Sequence, residues 1–356
     1  MFHIVSRDDA GRLKRDPVGH NRKAAERALR KVEVQIDEGI YTPQENILFS
    51  TWADRWLAAL QRKATTVESY RSTVDYAKRA FGTVTVRKVR PEHVAKMDEL
   101  MRERRDRKGK PKPLTASTRA KHLRVLHACL ESAIAHSYAT SNPVKLLPKA
   151  ERPRPTKKEA AYFEDAELPK LVAALPEGVY RLLALVAVKT GMRLGELLAL
   201  TWADVDLLSA VIRVRRSYTD RHLGVPKSHE RRDVDLTADV VDALGAWWGE
   251  LGKPAPETLV FGGAEGYLDG GSVLDVLYDA MARAGMDRVG PTGEKRTFHS
   301  LRHTFARVAL ENGAQLTWLS RHLGHSDAAI TDQVYGHWAR EARKVAMERL
   351  EGAFTI

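Results

Sequence analysis

Three short stretches concentrate side chains that hold anions or move protons: TGMRLGELLALTWADVDL at 190–207, TFHSLRHTFARVALENGA at 297–314 and HLGHSDAAITDQVYGHW at 322–338. In the first, Gly191 breaks an apolar helical run through RLLALVAV. Arg193 follows at the predicted start of the next helix, with Glu196 three residues on. The helix macrodipole disfavours a cation at that end. The placement makes sense if an anion binds there, where free backbone N–H groups and a guanidinium would converge on it. A plain Arg193–Glu196 surface pair would account for the same spacing.

In the second stretch His299, Arg302 and His303 fall at i, i+3 and i+4, on one helical face. Leu301, Phe305, Val308 and Ala309 are expected on the opposite stripe. Three groups able to carry positive charge at a helix start again point to an anion. The competing chemistry is a metal: His299 and His303 have the spacing of half a zinc site, and His322 with His325 could complete it. Against that, no glutamate sits between the first two histidines, as a hydrolytic zinc helix needs. An arginine among them also opposes a cation. In the third stretch Gly324 precedes His325, and a turn and helix of about ten residues can hand Tyr335 back to the vicinity of His325.

An acid is still wanted. Between residues 211 and 236 there is a single lysine, Lys227, in PKSHERR between two predicted strands. Together the set fits phosphodiester cleavage without a metal. That chemistry needs a nucleophile, a role open to Tyr335 unless it is an ordinary core or rim tyrosine, and two guanidiniums suit the equatorial oxygens by their fork geometry. Imidazoles accept the tyrosine proton or donate to the phosphate, and an ammonium protonates the leaving 5′-oxygen. Each preorganised donor in such a site is worth roughly 3–4 kcal/mol of barrier.

The composition agrees with a polyanionic partner. The 356 residues carry a formal net charge of +12, with a pI of about 9.7. Nucleic acid is the first candidate and an anionic membrane surface the second. The membrane is disfavoured, because no run of about 18 apolar residues and no lipidation motif occurs. The N-terminus, MFHIVSRDDAGRLKR, lacks the apolar core of a signal peptide. The single cysteine, Cys129, excludes an intrachain disulfide and a multi-cysteine zinc module, and fits a reducing cytosol.

The elements that must position these groups are mostly helices. Residues 1–20 leave room for two short strands. Residues 21–38 show helical spacing of Ala25, Leu29, Val32 and Ile36, with Gly39 where a C-cap would be. From about 47 to 150 the chain reads as all-helical. Trp52, Trp56 and Leu60 share a face, Thr66 is expected to cap a helix that Gly82 stops, and Pro91 opens the next. Leu123, Leu126, Leu130 and Ile134 mark a further strong helix. Residues 101–125 hold ten Lys/Arg against two Asp/Glu, the form of a phosphate-tracking surface, with Arg119, Lys121 and Arg124 as candidate contacts. Residues 151–160 are a Pro- and charge-rich linker. The second domain opens with helices, turns to β in AVIRVRRSYT and RRDVDL as two paired strands, and returns to helices from 237.

The arrangement TGMRLGEL, PK, HSLRHT, LGHS and TDQVYGH resembles the tyrosine recombinase, or phage-type integrase, family over about 160–340. The helical segment before it, with NPV at 142–144, is similar to the family's core-binding domain. The resemblance implies a mainly α, multidomain chain with a small β-sheet in the catalytic domain. The parts are a short arm-type-like segment at 1–45, a helical core-binding (SAM-like) domain at 46–150, the linker, a catalytic domain at 161–340 and a tail at 341–356. It implies Arg193, Lys227, His299, Arg302 and His325 as catalytic residues, Tyr335 as nucleophile and Glu196 as a brace for an arginine. His303 and His337 read as structural. No metal and no cofactor are required.

The implied activity is site-specific integration and excision of a phage or other mobile element through a 3′-phosphotyrosyl link. The expected partners are double-stranded core-site DNA, three further protomers in a tetramer, an excisionase and a host DNA-bending protein, in the cytoplasm. The tail is expected to dock on a neighbouring protomer. Residues 21–42 resemble the last helix of the arm-type domain of lambda-like integrases. That domain begins with three strands, and the roughly twenty residues here imply a shortened sheet. The rivals are a dimer-resolving recombinase, a metal-dependent nuclease and a DNA-binding protein with a fossil site.

Overall fold

Glycines and prolines punctuate the apolar runs of the sequence, and most helices begin or stop at them. The computed structural model describes residues 1–7, 13–37, 46–156, 158–226, 231–263, 266–325 and 327–353. The chain divides into two compact units, Met1–Lys157 and Lys158–Ile356.

The first unit begins with an antiparallel pair, β1 (Phe2–Arg7) and β2 (Leu13–Gly19), followed by α1 (Arg22–Asp37). The sheet has two strands among the described residues. Leu29 and Val34 on α1 stay exposed, and the expected cap at Gly39 lies outside the described residues. The helices α2 (Phe49–Ala59), α3 (Ala64–Phe81), α4 (Pro91–Arg102), α5 (Ala116–Ala135) and α6 (Pro143–Leu146) then pack around Phe49, Trp52, Met97, Met101, Leu126 and Leu130. The α3 helix starts two residues before Thr66. The Thr66 N–H already donates to the Lys63 carbonyl, so Thr66 lies inside the first turn. Gly82, at φ +60°, ends α3 as its position predicts. Burial raises the Cys129 thiol pKa to about 12, so it stays a neutral, unreactive core side chain.

Of the candidate phosphate contacts, Arg119 already has a partner within the protein. Its Nη1 donates to both oxygens of Asp98, at 2.8 and 2.6 Å, and Arg102 Nε donates to the same carboxylate at 2.8 Å. Asp98 sits on α4 and Arg119 on α5, with side chains only 7% and 14% exposed, so the pair joins two helices. Lys121 and Arg124 do face solvent, and Lys121 Nζ donates to Ser69 Oγ at 2.9 Å.

The second unit starts with α7 (Leu168–Ala174), α8 (Val179–Thr190) and the short α9 (Leu194–Leu198). The β region has more pieces than two paired strands. A three-stranded antiparallel sheet joins β3 (Val205–Asp206) and β4 (Val211–Val214) to a later strand. Between them β5 (Ser217–Thr219) and β6 (His222–Gly224) form a separate hairpin, and β7 (Arg232–Asp235) then returns to pair with β4. AVIRVRRSYT is thus shared between two sheets. Val214 is buried on one sheet while Thr219 is exposed on the other.

Helix α10 (Ala238–Glu250), the small pair β8 (Gly262–Gly263) and β9 (Gly266–Tyr267), and α11 (Gly270–Arg283) close the main core with Leu183, Val186, Leu197, Ile212, Val234 and Phe261. The last three helices are α12 (His299–Glu311), α13 (Leu316–Leu323) and α14 (Ala328–Ala353). They surround a second, smaller core that contains Leu310, Leu319, Leu323, Tyr335 and Trp338. Among the described residues no helix is long and apolar enough to cross a membrane.

Candidate active site

Two helix ends set the geometry. Helix α8 stops at Gly191 and α13 at Gly324, both left-handed, at φ +64° and +65°. Neither position tolerates a side chain. A Cβ on Gly191 would lie 2.5 Å from the Phe305 ring, and one on Gly324 would lie 2.9 Å from the Arg232 guanidinium stem. Each glycine hands its carbonyl to an arginine of another segment. Arg302 Nη1 donates to Gly191 O at 2.7 Å, and Arg193 Nη2 donates to Gly324 O at 3.0 Å. The negative ends of two helices therefore orient two guanidiniums.

Arg193 does occupy the N-cap of α9, and its pairing with Glu196 is not a surface contact. The Arg193 N–H donates to Glu196 Oε2 at 3.0 Å and its Nη1 to Oε1 at 2.8 Å. The Glu196 side chain is 1% exposed. A second cation reaches it from β7: Arg232 Nη1 donates to Oε1 at 3.0 Å and Nη2 to Oε2 at 2.7 Å. Burial alone would raise the Glu196 pKa. The hydrogen bonds and charge of Arg232, with the charge of Arg193, overcome it and hold the carboxyl at about 2. It is therefore an anion between two arginines at any ordinary pH.

Arg302 is 1% exposed. Its Nη2 donates to Leu323 O at 2.8 Å and to His325 Nε2 at 3.0 Å, while Nε is buried with no partner. Burial, then the charge of Arg193, lowers its pKa to about 9, which leaves it charged near neutral pH. His299, Arg302 and His303 share the first turn of α12 as their spacing requires. The opposite stripe is mixed: Leu301 is buried, whereas Phe305, Val308 and Ala309 are only half-buried.

The return of Tyr335 to His325 is realised. The two rings lie parallel within 13°, with centroids 6.2 Å apart. Tyr335 is 1% exposed and sits between His325 and Trp338, whose ring is 5.6 Å away. Burial raises its pKa above the ordinary phenol value, and the charges of Arg302 and Arg193 oppose that rise. All of these groups come from one chain.

Three partners were not legible as such in the sequence. Arg232 reads there only as a strand residue. Its signal is the alternation that puts it on the same face as buried Val234, where a guanidinium needs a carboxylate. Thr331 is fully buried, and its Oγ1 lies 2.6 Å from His325 Nδ1. His303, read as structural, has its Nδ1 2.8 Å from the Tyr335 hydroxyl. His337 packs its ring on Trp338, 4.6 Å away.

The geometry does not gather the histidines for a metal. His322 Nε2 donates to Thr190 O at 2.9 Å, and its ring stacks on Phe305 and Trp318. Among the described residues no group of three or more His, Cys, Asp or Glu is arranged to hold a metal ion. Lys227 lies outside the described residues, just after β6.

Residues 161–342 match the model of the phage integrase family. A tyrosine recombinase XerC-like protein of Caldanaerobacter subterraneus is 26% identical over 254 residues, which span 62% of each chain. This chain therefore matches less than two thirds of that relative's length. A putative prophage phiRv2 integrase of Mycobacterium tuberculosis is 28% identical over 321 residues, covering 86% of this chain and 80% of the relative. Among solved structures, a Tn1549 transposon integrase in complex with transposon right-end DNA superposes with a TM-score of 0.71 at 18% identity, over 86% of this chain and all of that one. A lambda integrase tetramer bound to a Holliday junction gives 0.63 at 19%, over 92% and 91%.

Proposed function

The chain belongs to the phage integrase family, and from that premise we propose that it is a site-specific DNA recombinase that cuts and rejoins DNA through a 3′-phosphotyrosyl link. The observation that carries the proposal is the convergence of Arg193, Arg302 and His325 on the buried Tyr335 within one chain. The two arginines take the non-bridging oxygens, and the buried Nε of Arg302, which has no hydrogen-bond partner, is a donor left for one of them. His299 assists at the phosphate and Glu196 fixes Arg193. Lys227 protonates the leaving 5′-oxygen. The tyrosyl link conserves the energy of the broken bond, so rejoining needs no nucleotide cofactor.

The substrate is double-stranded DNA. The first unit would grip it through exposed cations such as Lys121 and Arg124, and four protomers would act on two duplexes in the cytoplasm. An excisionase and a host DNA-bending protein are the accessory partners of that reading. Integration of a mobile element is favoured over dimer resolution, since the prophage integrase relative aligns along 86% of this chain and the XerC-like relative along 62%.

The test is covalent attachment. Wild-type protein incubated with a nicked half-site in excess chelator should give a protein–DNA species stable in denaturing gels, and Tyr335→Phe should give none. An adduct formed by Tyr335→Phe removes the tyrosine from its role.

A further inference from the structure

Near the phenol, one imidazole has no assignment. His303 Nδ1 lies 2.8 Å from the Tyr335 hydroxyl, with the rings 5.6 Å apart and inclined by 62°. His325 is parallel to the phenol, and both of its nitrogens are engaged elsewhere. Its Nε2 faces Arg302 Nη2 at 3.0 Å, and a guanidinium only donates, so Nε2 must accept. The ring proton of His325 therefore sits on Nδ1, where it is donated to Thr331 Oγ1 at 2.6 Å. That tautomer leaves His325 no lone pair for the tyrosine.

We propose that His303 is the base that takes the Tyr335 proton as the phenol oxygen attacks phosphorus, and the acid that returns it on rejoining. The proposal rests on the recombinase reading above. In cleavage the Tyr335 O–H bond breaks and its proton goes to His303 Nδ1. The phenol oxygen bonds to phosphorus, the P–O5′ bond breaks, and the 5′-oxygen leaves with the electron pair and takes a proton from the acid assigned to Lys227. In rejoining the incoming 5′-hydroxyl gives that proton back to the amine as its oxygen attacks. The tyrosyl O–P bond then breaks, and the phenol oxygen recovers its proton from the His303 imidazolium. No proton is gained or lost over the cycle.

The surroundings suit a base that becomes effective on substrate binding. Burial, then the nearby His299, Arg302 and His325, hold the His303 pKa at about 3, so the ring is neutral and able to accept. Burial also keeps Tyr335 protonated. With the His303 ring proton on Nε2, the tautomer this role requires, the resting pair is a neutral O–H donating to a neutral Nδ1. A scissile phosphate adds negative charge beside the Arg302 guanidinium, one of the charges that depress His303, and this favours the imidazolium.

Single-turnover cleavage of a half-site by the full chain tests the assignment. His303→Asn keeps a polar atom near the Nδ1 position but cannot take a proton near neutral pH. It should lose about 10²–10⁴-fold in covalent-complex formation while DNA binding and the melting temperature stay close to wild type. Replacing Tyr335 by a trifluorotyrosine, whose phenol ionises near neutral pH, removes the need for a base. With that nucleophile the His303→Asn loss should shrink by about tenfold or more. An equal loss with both nucleophiles makes His303 a positioning residue and overturns the proposal, as does full activity of His303→Asn with native tyrosine. His303→Gln, run in parallel, covers a folding defect peculiar to the asparagine variant. A wild-type chain that forms no adduct at all would instead refute the recombinase reading.

Discussion

Arg232 grips Glu196 with both ends of its guanidinium, Nη1 to Oε1 at 3.0 Å and Nη2 to Oε2 at 2.7 Å, and Glu196 in turn holds Arg193. The strand residue therefore decides where a catalytic candidate points. Both members of the pair are buried, at 7% and 1% side-chain exposure. Removing one partner leaves a carboxylate short of compensation. Arg232→Met should destabilise the second unit by about 3–5 kcal/mol. Arg232→Met combined with Glu196→Met should recover part of that loss, since it removes both fully buried charges and leaves only the partly exposed Arg193 without its carboxylate. Urea unfolding of the three proteins is the measurement. A midpoint for Arg232→Met equal to wild type would show that the pair carries no such strain.

The same pair fixes a pH dependence. The folded-state pKa of Glu196 is about 2, below the ordinary value of 4.5. A depressed carboxyl stabilises fully above its unfolded pKa and loses that contribution as pH falls through the folded one. Glu196 should therefore add stability at pH 6 that drains away between about 4.5 and 2. Glu196→Gln lacks the ionisation, so its melting temperature should lie furthest below wild type near neutrality and approach it as pH drops. A gap that stays constant from pH 6 to pH 3 would mean that the ionised form contributes nothing.

Local signals in the sequence translate well where the partner is near in the chain. The α8 stop at Gly191, the N-cap position of Arg193 and the shared face of His299, Arg302 and His303 all follow from spacing within a turn or two. The return of Tyr335 to His325 spans one turn and part of a helix and was legible for the same reason. Arg232 and Glu196 are 36 residues apart, and His303 and Tyr335 are 32 apart. Spacing within an element carries no information about such pairings; the packing of β7 and α14 against the site decides them. Arg119 illustrates the converse. Its neighbours in sequence are basic, yet its partner Asp98 sits on a different helix, so composition suggested a free cation where the fold builds an ion pair.

That distinction separates the cations of the first unit. Lys121→Gln and Arg124→Gln should each weaken binding to all DNA sequences alike, and each should reduce the log–log salt slope by roughly one. Arg119→Gln should leave the slope unchanged and lower the melting temperature, because it uncovers the buried Asp98 carboxylate. Filter binding at several salt concentrations and a thermal scan cover both quantities. A slope change for Arg119→Gln with unchanged stability would return it to the DNA-contact set.

Lys227 should act at the leaving oxygen. With an ordinary half-site, Lys227→Ala should lose about 10²–10⁴-fold in cleavage rate. With sulfur replacing the bridging 5′-oxygen, the thiolate leaves without protonation, and the variant should cleave nearly as fast as wild type. Equal losses on the two substrates would assign the ammonium to phosphate binding instead.

The end of α14 should couple protomers without supporting its own domain. The helix runs unbroken from Ala328 to Ala353, so Tyr335 and the tail share one helix. Its first half is held in cis: Tyr335, Trp338 and Ala339 are buried beside Leu310, Leu319 and Leu323. Further along, Glu341, Arg343, Lys344 and Met347 face solvent, Met347 at 64% exposure. Of the stripe expected there, Ala342 is half-buried, and the side chains of Val345, Ala346 and Leu350 lie outside the described ones. Seating four such side chains on a neighbouring subunit would contribute on the order of 4–6 kcal/mol before ordering costs, enough to link protomers on DNA without a permanent oligomer. Deleting residues 345–356 should leave half-site cleavage and the melting temperature near wild type, because the buried turn around Tyr335 is untouched. Strand exchange between two intact sites, and tetramer assembly in native gels, should collapse. If cleavage, exchange and melting temperature fall together, the segment is part of its own domain's core and the inter-protomer role is lost.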